Sequence, residues 1–236
     1  LYTMSTENTN SPAPSTSGSS NQHISIEVQL KMIGVAIQNT VDNADIQTAL
    51  AKRGFDAAAM SEAKLLLQSA NEFYIGQKNK YGDKFGAKDD FDQLKEEIED
   101  EYNDHVALAR VALKNNRGDL EKLQLNSRRD RTISGWLSQA KTFYKNAIDS
   151  ATIKAALLKK GITEVEMKAV LDKISTLEQK EANKYNTKGD AQNATADRNN
   201  AIEELTEWYR DFKETAKVAL KKTPQLLEKL GIMIKE

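Results

Sequence analysis

Val111-Ala112-Leu113-Lys114 recurs unchanged as Val218-Ala219-Leu220-Lys221, 107 positions further along (111 to 218). The same offset carries Leu120-Glu121-Lys122-Leu123 onto Leu227-Glu228-Lys229-Leu230 and Gly82-Asp83 onto Gly189-Asp190. It also pairs Gly54 with Gly161, Met60 with Met167, Glu96-Glu97 with Glu203-Glu204, Tyr102 with Tyr209 and Asp104 with Asp211. No gap is needed. An ungapped period of this kind reads as a tandem duplication of one unit of about 107 residues. Each copy then tests a structural reading made on the other.

The first such test concerns His23-Ile24-Ser25-Ile26-Glu27-Val28-Gln29-Leu30, which alternates like a strand. The second copy turns the reading to helix. Positions apolar in both copies are Ile26/Ile133, Leu30/Leu137, Ile33/Ala140, Ile37/Tyr144 and Val41/Ile148, and steps of three and four describe one helical face. Asp42/Asp149 stand where a cap or kink starts a second short helix, which stops at Gly54/Gly161. Its buried stripe is Ile46/Ile153, Ala49/Ala156 and Leu50/Leu157.

Asp56 and Thr163 are placed to cap the next helix, and Thr163 with Glu166 spells a capping box. That helix is expected to end near Gly82/Gly189 in a polar loop, followed by a long helix over roughly 89–115 and 196–222. Thr223-Pro224 reads as the start of a short closing helix, with Leu120, Leu123 and Leu125 marking its mate in the first copy. The fold predicted is therefore all-α, with three long helices per unit, the first kinked, and a short closing helix. In unit length and helix count this is similar to spectrin-type repeats. The kink at Asp42/Asp149 and the polar break at 115–131 depart from a continuous spectrin linker.

Three segments follow. Residues 1–23, rich in Ser, Thr, Asn, Pro and Gly, read as a disordered tether, because such a composition buries too little apolar surface to offset its ordering entropy. Residues 24–130 are the first helical unit and 131–236 the second. The opening Leu1-Tyr2-Thr3-Met4 reads as an added scar before Met4 or as the remainder of a removed leader, so the chain is expected in the cytoplasm or exported.

Composition narrows the function classes. Of 236 residues only 3 are Pro and 11 Gly, and 6% are aromatic, which disfavours a sheet protein. A formal net charge of −1 gives no overall field to draw in nucleic acid or an anionic membrane. Cysteine is absent, which removes disulfides, thiol catalysis and Cys-ligated metals. No stretch reaches the ~20 apolar residues of a membrane span, so no membrane insertion is expected.

The constellations that carry chemistry elsewhere are weak in this chain. Its two histidines are His23 and His105, and His105 falls on an apolar stripe opposite Phe212. The acidic run Glu96, Glu97, Glu99, Asp100, Glu101 and Asp104 has no Glu-x-x-His partner for a di-iron site and reads as a solvated, ion-paired face. The Gly82-Asp83 and Gly189-Asp190 loops fail as calcium loops, since the twelfth positions are Leu94 and Ala201 rather than Glu. Arg117-Gly118-Asp119 spells an adhesion tripeptide but reads as a cap region, and Asn193-Ala194-Thr195 is a glycosylation sequon. Arg128, Arg129 and Arg131 form a basic patch between the units that suits an anionic partner, without the aromatic interleaving of a nucleic-acid site.

No catalytic, cofactor-binding or metal-binding residue is therefore assigned. The expected function is a non-catalytic helical interaction or scaffold protein, a structural or assembly component with a protein partner or self-assembly. The alternative is a carrier holding an apolar small molecule, with Phe73, Tyr74, Trp136, Phe143, Tyr144, Trp208 and Phe212 as candidate lining. A carboxylate or metal enzyme ranks behind both.

Overall fold

The computed structural model describes residues 24–233, so the expected tether and His23 lie outside the described residues. Every element in the described stretch is a helix: α1 (Ile26–Asp42), α2 (Ala44–Ala51), α3 (Ala57–Ala112), α4 (Arg117–Lys122), α5 (Ile133–Asp149), α6 (Ala151–Leu158), α7 (Glu164–Ala219) and α8 (Gln225–Lys229). Among the described residues there is no strand.

Side-chain caps explain most helix starts. Ser25 Oγ accepts from Val28 N and Thr132 Oγ1 from Gly135 N, each standing in for a missing intrahelical carbonyl. The break after α1 is one residue later than the Asp42/Asp149 reading. Asn43, in extended conformation, caps α2 through its side-chain oxygen, and Ser150 does the same for α6. Asp56 Oδ1 caps α3 at 3.0 Å from both Ala58 N and Ala59 N. The Thr163–Glu166 capping box forms in both directions, Glu166 N to Thr163 Oγ1 at 3.2 Å and Thr163 N to Glu166 Oε2 at 2.7 Å. Gly54 and Gly161 have φ of 92° and 85°, and the residue after each donates back to Leu50 or Leu157, closing α2 and α6 in the reversed-hand turn that glycine favours.

The expected loop at Gly82 and Gly189 does not exist. α3 and α7 each run 56 residues without interruption, so the count of three long helices per unit is corrected to helices of 17, 8 and 56 residues followed by a short one. A glycine in a helix interior costs roughly 1 kcal/mol relative to alanine, and nothing lies within 4 Å of where a Cβ would stand at Gly82, Gly86 or Gly189. Burial of Phe91, which is 1% exposed, contributes about 1.5–3 kcal/mol. Ala87 and Ala191 are buried nearby in sequence, and Lys184 Nζ sits 3.7 Å over the Phe91 ring. Side-chain burial outweighs the glycine penalty and the chain stays helical. Lys80 meets Asp190, Asp90 meets Lys180 and Glu101 meets Lys173, so numbers rise on α3 as they fall on α7, and the two run antiparallel there.

The chain forms two compact units, and each draws on both sequence segments. Unit 1 takes the described residues up to Leu67 and those from Tyr209 onward. Ile33, Ile37, Ile46, Leu50, Met60, Phe212 and Leu230 are buried in it, Phe55 meets Phe212 edge-on at 5.4 Å, and Asn39 Nδ2 donates to the Lys229 carbonyl. Unit 2 is Gln68–Trp208. Its core joins Ile98, Tyr102 and Ala109 of α3 to Phe143 and Tyr144 of α5, Ile153 and Leu157 of α6, and Met167 and Ile174 of α7. A 56-residue helix rises about 84 Å at 1.5 Å per residue.

Candidate functional site

α1 is apolar on two faces. The inner face buries Leu30, Ile33, Ala36 and Ile37, together with Thr40, whose hydroxyl donates to the Ala36 carbonyl. The outer face carries Val28, Met32 and Val35, with Ile24 just ahead of the helix; these four are 39–54% exposed. Their spacing of four, four and three residues makes one continuous stripe. The positions 107 further on are Arg131, Gly135, Gln139 and Thr142, all polar or small. There the chain leading into α5 is seated against the helix: Gln139 Oε1 accepts from Asp130 N at 2.8 Å, and Gln139 Nε2 donates to the Arg128 carbonyl at 3.1 Å. The matching face of α1 presents hydrocarbon to solvent instead. The stripe is legible in the sequence but is lost when only positions apolar in both copies are kept.

The basic cluster lies in the connection from α4 to α5. Arg129 donates to Glu99 at 2.6 Å and to Asn103 at 3.2 Å, while Arg128 and Arg131 are exposed and make no ion pair among the described residues. Glu99 also pairs with Lys95 at 2.9 Å, and Glu101 with Lys173 at 2.5 Å, so members of the acidic run are ion-paired along a wet face. Asp130 accepts from the Thr132 amide and hydroxyl, and these bonds hold its carboxyl below the usual carboxylate range.

His105 is half-buried at the edge of the unit 2 core, its Nδ1 2.9 Å from the Tyr144 hydroxyl. Burial lowers the His105 pKa and raises that of Tyr144, so both groups are held neutral and one hydrogen bond joins them. No other histidine is described, and the Tyr144 ring packs edge-on against Tyr102, His105 and Phe143. Asp119 of the adhesion-like tripeptide is 4% exposed and tied to Asn116 and Lys122, so it stabilises the start of α4. The sequon lies within α7, with the Thr195 hydroxyl donating to the Ala191 carbonyl. Phe143, Tyr144 and Phe212 are fully enclosed core residues, Phe73 is exposed, and Trp136 lines a pocket beside the basic cluster.

No protein-family model, no curated protein and no solved structure matches this chain. The geometry alone therefore bears on function. It offers two surfaces with chemical character: the apolar outer face of α1 and the cationic corner before α5. Among the described residues no helix is long and apolar enough to cross a membrane.

Proposed function

We propose that this chain is a non-catalytic helical interaction protein, a structural or assembly component, built by tandem duplication of one helical module. The reading rests first on the outer stripe of α1. Four apolar side chains left 39–54% exposed in a continuous row mark a surface that another protein or another copy covers, since such rows are uncommon on isolated soluble chains. Support for the duplication comes from element lengths. Helices of 17, 8 and 56 residues recur in order, and α1, α2 and α3 start 107 positions before α5, α6 and α7.

The test is a pair of surface charges, Val28→Lys with Met32→Glu. Both positions are exposed, so helix content by circular dichroism is expected to stay the same. Self-association, read by light scattering across a concentration series, or retention of an isolated partner is expected to fall at least tenfold. A chain that is monomeric at every concentration, and whose partner binding ignores these substitutions, overturns the proposal.

A further inference from the structure

A pocket of about 400 Å³ opens beside the basic cluster, lined by Lys95 and Glu99 of α3, residues 128–132 of the connection, and Ile133 and Trp136 of α5. Its charge is unbalanced. Lys95, Arg128, Arg129 and Arg131 bring four positive charges, and Glu99 and Asp130 two negative ones, which leaves a surplus of two. The carboxylates are already engaged: Glu99 by Lys95 and Arg129, Asp130 by Thr132. Arg128 and Arg131 have no anionic partner among the described residues.

The second observation is Trp136. It is 2% exposed, and its indole Nε1–H is buried with no hydrogen-bond partner. A buried donor left unpaired is destabilising, so a tryptophan placed this way needs an acceptor. Two of the four cations lie over its ring, Lys95 Nζ at 5.6 Å and Arg129 Cζ at 5.5 Å from the centroid. A donor that needs an acceptor, beside two unpaired guanidinium groups, is the complement of a multi-oxygen anion.

We infer that this pocket binds an oxyanion, a carboxylate or phosphate group carried on a small organic body, held by Arg128 and Arg131 and accepting a hydrogen bond from Trp136 Nε1. Nε1 is buried at the edge of the indole, so binding requires the side chains around it to rearrange. The first turn of α5 is not the receptor, because the Asp130 carboxylate already lies against it, where a Cβ on Gly135 would stand. The site lies within unit 2 and is independent of the α1 stripe.

The experiment follows the indole N–H resonances of the full chain by nitrogen–proton correlation spectra, with Trp208→Phe assigning the Trp136 peak. Phenyl phosphate and benzoate are titrated separately, against potassium chloride at matched ionic strength. The Trp136 indole peak is expected to move downfield and saturate with at least one of the two, and the one that saturates identifies the oxyanion. Arg128→Gln with Arg131→Gln, at exposed and unpaired positions, is expected to weaken that binding at least tenfold with helix content unchanged. No saturable shift with either probe, a shift that chloride reproduces, or equal binding by the double variant overturns the inference.

Discussion

Gln124 holds the left-handed backbone conformation, φ 56°, at the end of α4. Gly231, 107 positions on, does the same at φ 70°. Both turns close with the same bond, Leu125 N to Leu120 O and Ile232 N to Leu227 O. A side chain in this region costs about 1–2 kcal/mol, part of which glycine returns through its freer unfolded chain. Gln124→Gly is therefore expected to stabilise by up to about 1 kcal/mol, and Gly161→Ala to destabilise by about 1 kcal/mol. Urea midpoints check both, and a destabilised Gln124→Gly would show that the side chain matters more than the backbone.

His105 supplies a pH-dependent term at the same scale. Burial lowers its pKa, opposed in decreasing order by Glu166, Glu101 and Asp104. The folded-state value lies below the ordinary 6.5 of the unfolded chain. Unfolded protein then binds more protons in the window just below pH 6.5, so stability is full above that window and falls as the pH drops through it. Unfolding free energies at pH 7.5 and 5.5 are expected to differ in the native chain, and the difference to shrink in His105→Phe. An unchanged slope in the variant removes His105 from the account.

Among the elements, the long helices are the informative case. Glycines at 82 and 189 followed by aspartate carry the local signal of a turn, and the helix wins because Phe91, Ala87 and Ala191 are buried further along. That contest is decided by contacts between residues such as Lys184 and Phe91, some 90 positions apart, which no local reading weighs. Caps behave oppositely. The Thr163–Glu166 box and the Gly54 and Gly161 stops are local, and they stand where the sequence places them. The cationic pocket is intermediate: three arginines are visible as a cluster, but Lys95 joins them only through the packing of α3 on α5. Gly82→Ala and Gly189→Ala test the uninterrupted helices directly. With open space at both positions, each is expected to stabilise by about 0.5–1 kcal/mol in thermal unfolding. A loss at either site would mean the backbone there departs from helix.

At the scale of the molecule, the compact units do not coincide with the sequence segments 24–130 and 131–236. Unit 1 needs α1 and α2 together with the last turns of α7 and α8, so neither 24–130 nor 131–236 contains a whole unit. A 131–236 fragment would expose Tyr209, Phe212, Ala216 and Leu230, all buried in the full chain. Each fragment alone is expected to unfold without a sharp transition, and an equimolar mixture to recover helix content and cooperativity. Two fragments that each melt sharply as monomers would show that the two segments fold autonomously.

The outer row on α1 has a further bearing on how the protein responds to its solvent. Contacts made through Ile24, Val28, Met32 and Val35 release structured water rather than counterions. Ammonium sulfate, which is excluded from hydrocarbon surfaces, should tighten them, where an association through charges would loosen as salt screens it. The sign of that response in a sedimentation experiment separates a greasy junction from an ionic one before any partner has been found.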